Sequence, residues 1–254
     1  MKKSLQLPDP ADTYEYLNSS FRDLHQNSAS FDEDDWRLEE VLRNTSQSLD
    51  KANPDNWKLE LDPYIVLSLG SKRDFSDGKG QARIGANIEV REGSFEMFSS
   101  TLVLVRDIRD VDISETTTGG NPNRHHCCFE NQADDFHVLE RVHWDIDTGK
   151  DDSESKPMCH FQVGGNLSQS VFESYEDFHY CSNGLDKPRI PHPPMDPMLV
   201  FNILMNQYRS IESFNQERWQ KIVSYAEEVL WEPYYESAFG AIEHDEHIIE
   251  TFQS

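Results

Sequence analysis

The segment from residue 157 to 208 constrains the fold of this chain more than any other. It begins with CHFQV at 159–163, where apolar and polar side chains alternate as in a half-buried β-strand. Paired glycines at 164 and 165 then predict the end of that strand. Four prolines between Pro188 and Pro194 fix φ and favour an extended chain. The segment therefore predicts a strand followed by a stiff connector.

The connector leads into a helix whose start is strongly marked. Asp196 offers a side-chain acceptor at the N-cap, and Pro197 suits the first helical position. The next residues are apolar around nearly the whole circumference of the helix: Met198, Leu199, Val200, Phe201, Ile203, Leu204 and Met205. A helix that is apolar on all sides is predicted to be buried. This one is too short to span a bilayer.

This segment also carries a resemblance. The string His160-Phe-Gln-Val-Gly-Gly, followed by Pro188-Arg-Ile-Pro-His-Pro-Pro-Met-Asp and the apolar helix, resembles an uncharacterised bacterial domain family. That family is associated with toxin–antitoxin or phage-defence gene neighbourhoods, so the resemblance implies a role in such a system. It covers roughly the last 120 residues, judged from the element lengths. It implies neither an activity nor catalytic residues.

The strongest global signal is charge. The chain has 47 acidic and 23 basic residues, a formal net charge of −24 at pH 7. Such a surface repels a phosphate backbone, so direct binding to bulk nucleic acid is not expected. Two interpretations of the charge remain open. The negative charge either keeps the protein soluble or allows it to dock onto a protein partner with a basic surface.

The cysteines and the hydropathy pattern predict a cytoplasmic protein with no membrane segment. The four cysteines include the adjacent pair Cys127 and Cys128, which does not suit a disulfide framework. No apolar signal core follows Met1, and no long apolar run occurs anywhere in the sequence.

Hydrophobic periodicity predicts an α+β fold. A helical spacing of apolar residues predicts helices at 10–25, 33–50 and 210–232, the last ended by Pro233. Strand patterns occur at 57–69, 84–90, 95–106, 136–147 and 157–163. We predict an antiparallel meander of about five strands covered by C-terminal helices. An N-terminal helical arm is expected at 1–56, and a core domain at 57–254 with a mobile insertion at 107–135.

The predicted insertion contains the run HHCC at 125–128, four soft metal ligands in a row. Adjacent residues on an extended chain point in opposite directions, so these four cannot surround one tetrahedral ion by themselves. A zinc site would need further ligands, for which the candidates are Cys159, His160, His179 and Cys181. We therefore expect no bound metal and no cofactor.

The best candidate site is a set of polar side chains on a predicted hairpin. If strands 136–147 and 157–163 pair, Trp144 would lie near Cys159 and Val142 near Phe161 on the apolar face. The opposite face would carry Arg141, His143, His160 and Gln162. We expect the 188–196 segment to lie against this strand, with Arg189 or His192 completing the site.

These six residues allow two interpretations. Two histidines can exchange protons near neutral pH, and an arginine can hold a phosphate, which together would suit metal-independent phosphoryl transfer. The alternative is a solvated sheet face or a structural polar seam. The acidity and the lack of a catalytic signature favour a non-enzymatic interaction component, antitoxin-like or an adaptor, of a bacterial toxin–antitoxin or defence system. The clustered histidines favour instead a metal-independent nuclease-like enzyme.

Overall fold

The computed structural model of this chain describes residues 6–26, 36–61, 65–69, 80–107, 136–147, 158–163, 178–179, 189–207 and 216–243. Apart from Asp107, the predicted insertion and its HHCC run lie outside the described residues. The described helices are α1 (Pro10–Gln26), α2 (Trp36–Leu49), α3 (Pro197–Gln207), α4 (Gln216–Ala226), a π-helical turn (Glu227–Trp231) and α5 (Glu232–Glu243). The described strands are β1 (Trp57–Glu60), β2 (Ile65–Leu69), β3 (Gly80–Arg91), β4 (Ser94–Asp107), β5 (Phe136–Ile146), β6 (Cys159–Val163), β7 (Phe178–His179) and β8 (Arg189–Pro191).

The strands form one sheet in the order β1-β3-β4-β5-β6-β8. Strands β3 to β6 are consecutive antiparallel neighbours, so the predicted meander within an α+β fold is confirmed. β2 pairs with β3 beyond the end of β1, and β7 pairs in parallel with the start of β5. The structure describes eight strands rather than about five. β7 and β8 span only two and three residues, too short for an alternating pattern to appear.

The helices cover one face of the sheet. α2 lies against β1 and β2, and α3 lies against β3 and β4, while α1 packs on α2 and on the π-helical turn. Alternate residues of the strands meet them there, and β3 shows this most clearly, with Ala82, Ile84, Ala86, Ile88 and Val90 all buried. α1 and α2 therefore share one hydrophobic core with the sheet. Among the described helices, none has the length and apolarity needed to span a membrane.

Asp196 caps α3, as the sequence predicts. Its Oδ1 accepts a hydrogen bond from the Leu199 N–H at 2.9 Å, and its Oδ2 accepts one from the Tyr16 hydroxyl at 2.7 Å. Asp196 and Tyr16 are both fully buried, so this cap also joins α1 to α3. α3 itself is buried around most of its circumference, and Ile203 is the exposed exception among its large apolar residues.

The C-terminal helix continues through Pro233, so the predicted end at that residue is wrong. The Glu232 N–H donates to the Glu227 carbonyl, five residues back, which closes the π-helical turn. Pro233 is then the second residue of α5 and has no N–H to donate within this continuous helix, and the π-helical turn, where the hydrogen-bond pattern already departs from the α-helix, lies directly before it. The π-helical turn ends at Trp231, whose Nε1 donates to the Pro194 carbonyl at 2.8 Å. The helix is thereby tied to the proline connector.

The predicted β5–β6 hairpin forms with a different register. Trp144 pairs with Phe161 rather than Cys159, and Val142 pairs with Val163 rather than Phe161. The exact pairing in the prediction is thus wrong by two residues. A shift of two keeps every side chain on its face, so the predicted division into an apolar and a polar face is confirmed.

Candidate functional site

A group of polar side chains lies on the sheet face opposite the helices. His143 pairs with Gln162, Asp145 pairs with His160, and Gln162 pairs with Arg189 in the next strand. Directly paired residues share a face, as do alternate residues of one strand. The set, here called the polar cluster, therefore comprises Arg141, His143, Asp145, His160, Gln162 and Arg189.

The structure brings together five of the six predicted site residues and separates the sixth. His192 lies on the apolar side, where its ring packs edge-on against Phe161 at 5.4 Å and against Trp144 at 6.4 Å. Its Nδ1 is 2.7 Å from the Pro193 carbonyl oxygen. Burial lowers the pKa of His192, and the bond to Pro193 offsets only part of that effect. His192 is therefore a neutral packing residue on the far side of the sheet from His160.

The centre of the polar cluster is the Asp145 carboxylate. Its Oδ2 lies 3.2 Å from His143 Nε2 and 3.8 Å from His160 Nε2. Burial acts to raise the pKa of Asp145, but the hydrogen bond and charge of His143, a hydrogen bond from Ser99 and the charge of His160 together lower it. Asp145 is thus held as a carboxylate between two imidazoles.

Access to the polar cluster is uneven. The His160 side chain is 3% exposed, that of His143 is 14% exposed and that of Asp145 is 32% exposed, while Arg141 is buried. Solvent therefore reaches the cluster mainly through Asp145. Within the described ranges, His143 Nδ1 is buried and has no hydrogen-bond partner. The arrangement can move a proton between His143 and Asp145, but it keeps His160 away from a bulky substrate.

The described residues also bear on the question of metal binding. Across the residues that the structure describes, no three His, Cys, Asp or Glu side chains are placed to hold a metal ion. Cys159, one of the candidate ligands, is buried under the helices on the apolar side, and burial raises the pKa of its thiol to about 12. In the protein without metal, that thiol stays protonated at neutral pH.

A second candidate surface lies where α1 meets α4. The Tyr225 ring packs edge-on against Tyr16 at 5.3 Å, which sets it beside α1. Burial raises the pKa of Tyr225, and so do the charges of Glu15, Asp12 and Glu228. Glu217 lines the same furrow as Tyr225 and Glu228. These four exposed carboxylates around Tyr225, from Asp12, Glu15, Glu217 and Glu228, form what we call the acidic face.

Two cations of α4 near the acidic face, Lys221 and Arg218, are engaged with carboxylates. Lys221 Nζ lies 2.9 Å from Glu217 Oε1, and Arg218 Nη2 lies 2.9 Å from Asp23 Oδ1. Asp12, Glu15 and Glu228 therefore keep most of their negative potential.

Asp145 and the acidic face are not among the site residues predicted from the sequence. Asp145 continues the alternating row of Arg141 and His143 by one step, so extending that row would have found it. The acidic face joins α1 to α4 across more than 200 residues of sequence, and no local pattern signals that meeting.

No known protein family, curated protein or solved structure matches this chain.

Proposed function

We propose that this protein is a non-enzymatic interaction component, antitoxin-like or an adaptor, that binds a protein partner with a basic surface. The observation that carries the proposal is the acidic face, where carboxylates of α1 and of the C-terminal helix converge on Tyr225. The neighbouring cations Lys221 and Arg218 are already paired with carboxylates. The negative potential of the acidic face would steer and orient a basic surface that approaches it.

The setting that we propose is a bacterial toxin–antitoxin or defence system, and it rests on the resemblance of the 160–196 stretch. Charge chemistry is compatible with such a setting. An enzyme that acts on nucleic acid needs a basic surface to neutralise phosphates. An acidic protein can cover that surface and compete with the nucleic acid for it.

The first prediction tests electrostatic docking through the acidic face. The protein, immobilised, captures partners from a lysate of its own cells at low salt and at about 1 M salt, where the Debye length falls to about 3 Å. We expect release at high salt. We also expect the triple variant Asp12→Asn, Glu15→Gln, Glu228→Gln to bind about tenfold more weakly, since each exposed charge pair contributes roughly 0.2–1 kcal/mol.

The matched control removes the same number of charges elsewhere. Glu39→Gln, Glu40→Gln and Glu60→Gln neutralise exposed carboxylates of α2 and β1, outside the acidic face. This control variant should capture the partner as well as the wild type does. Partners that stay bound at about 1 M salt, or an equal loss in both variants, would contradict docking through the acidic face.

The second candidate function is a metal-independent nuclease-like enzyme that uses the polar cluster. The observation that favours it is the Asp145 carboxylate between two imidazoles, since a carboxylate–histidine pair can serve as a general base. Arg141 and Arg189 share the face and could hold a phosphate. Against it stand the burial of His160 and Arg141 and the negative charge of the whole chain.

The second prediction separates the two functions. On single-stranded RNA in the presence of EDTA, we expect the wild type and His143→Ala to be equally inactive. We expect His160→Ala to lower the free energy of unfolding by about 1–3 kcal/mol, because it removes a buried polar partner. His192→Ala is the matched control, the same substitution on the opposite face. RNA cleavage that is abolished by His143→Ala and kept by His192→Ala would establish the enzyme instead.

A further inference from the structure

A cleft of about 350 Å³ lies between α3 and α4. Asn202 and Asn206 line it from α3, and Gln216 and Gln220 line it from α4. Trp219 and Val223 also line it and supply its apolar part. We call it the amide cleft, because four carboxamide side chains surround its small apolar surface.

The lining residues follow the helical repeat. Asn202 and Asn206 are four residues apart, and so are Gln216, Gln220 and Ser224, so each set forms one row along its helix. Trp219 and Val223 form a third row with the same spacing. The cleft thus runs along α4, with one row of hydrogen-bonding side chains on each helix.

The two rows differ in how they are held. Asn202 Oδ1 accepts hydrogen bonds from Trp219 Nε1 at 2.8 Å and from Asn206 Nδ2 at 3.0 Å, which fixes the α3 row. Gln216 and Gln220 are exposed, and no side-chain hydrogen bond engages either of them in the described part of the chain. The α4 row therefore presents donors and acceptors to a ligand.

We propose that the amide cleft binds an extended, basic peptide segment of the partner through the peptide backbone. A carboxamide carries the same donor and acceptor as a peptide bond, so it can engage both backbone groups. Along α4, one step of four residues advances about 6 Å. Along an extended peptide, the backbone groups on one edge recur every second residue, about 6.6–6.8 Å apart. The two repeats match closely enough for successive bonds.

The charge of the proposed peptide follows from what adjoins the cleft. A furrow of about 340 Å³ shares Gln220 and Ser224 with the cleft and adds Glu217, Tyr225 and Glu228. A Lys or Arg side chain of the bound segment would reach these carboxylates. Lys221 also lines the furrow, paired with Glu217, and a basic ligand would displace it. From Gln216 to Glu228 the helix spans roughly 18 Å, the length of about five extended residues.

This inference rests on the proposed function, since it names the part of the basic partner that reaches the acidic face. The test uses the full-length protein and a fluorescein-labelled decapeptide of alternating Lys and Thr, followed by fluorescence anisotropy at low salt. The comparison peptide has the same sequence with N-methyl groups at alternate residues, which removes backbone donors and keeps the charge.

We expect the N-methylated peptide to bind at least about fivefold more weakly than its parent, because several hydrogen bonds are lost. The double variant Gln216→Ala, Gln220→Ala should bind the parent peptide about five- to fiftyfold more weakly than the wild type does. Gln47→Ala, at an exposed glutamine of α2, should leave the binding of this peptide unchanged. Lys221→Gln should tighten binding by about two- to fivefold, because the competing cation is gone.

The outcomes separate the cleft from the acidic face. Equal binding of both peptides, unaffected by the glutamine substitutions but weakened by the acidic-face triple variant, overturns the cleft and leaves the proposed function standing. Failure of the unmethylated peptide to bind also overturns the cleft, while salt-sensitive capture of the partner would still support the proposed function. If the peptides obey the cleft prediction but the partner stays bound at about 1 M salt, the proposed function fails and the cleft remains.

Discussion

Asp196→Asn is expected to stabilise the protein by up to about 3 kcal/mol above pH 7 and to leave its stability unchanged below about pH 4. Burial raises the pKa of Asp196 to about 6, and the bonds from Leu199 and Tyr16 only partly oppose this. The group has its ordinary pKa of about 3.9 in the unfolded chain. The pKa of Asp196 is therefore higher in the folded protein than in the unfolded chain. Because of this, the stability that Asp196 contributes is fully present below about pH 4. It is lost as the pH rises through about 6.

Asparagine fits the Asp196 position. Its Oδ1 can still accept the Leu199 N–H, and asparagine is among the best N-cap residues. Its amide N–H can donate to the Tyr16 hydroxyl, so the buried partner keeps a hydrogen bond. The substitution therefore removes the buried charge and keeps the cap.

The measurement is the difference in free energy of unfolding in urea between Asp196→Asn and the wild type, at pH 4, 6 and 8. A difference is needed because Asp145 acts in the opposite sense: its lowered pKa gives stability that is lost as the pH falls. Asp9→Asn, at the exposed N-cap of α1, is the matched control. Its free energy of unfolding should depend on pH as that of the wild type does. If the difference in free energy of unfolding does not grow with pH, Asp196 does not have a raised pKa in the folded protein.

Trp219→Ala is expected to lower the free energy of unfolding by about 3–5 kcal/mol, the usual cost of truncating a large buried aromatic. Trp219 is buried, packs on Phe201 at 5.2 Å and donates to Asn202 at 2.8 Å. It holds α4 against α3, and the wall of the amide cleft depends on that contact. Trp219→Phe keeps most of the apolar area and should lose only about 1–2 kcal/mol.

Urea unfolding followed by circular dichroism measures both Trp219 substitutions. The control is Tyr235→Ala, an aromatic truncation on the continuation of the same helix, where the residue is 42% exposed. We expect that control to change stability by less than about 1 kcal/mol, because much of the ring already contacts water. If Trp219→Ala costs no more than Tyr235→Ala, the α3–α4 contact is not part of the stable core.

Much of the polar cluster could be predicted because its members depend on alternation alone. Arg141 and His143 are two residues apart on one strand, and His160 and Gln162 are two apart on the next, so each pair must share a face. The same rule could have separated Arg189 from His192, which are three residues apart on an extended segment. The structure places them on opposite faces, where the His192 N–H donates to the Cys159 carbonyl at 3.2 Å.

The sequence by itself determined the start of α3 at Asp196 and the burial of that helix. It also determined the two faces of the hairpin. Each of these follows from side-chain chemistry within a few residues. Only the tertiary structure decided the β5–β6 register, because backbone hydrogen bonds and face alternation are the same after a shift of two residues. It also decided the amide cleft and the acidic face, since both lie between helices and depend on how they pack. Packing of distant elements depends on the summed fit of the whole core, which local patterns do not contain.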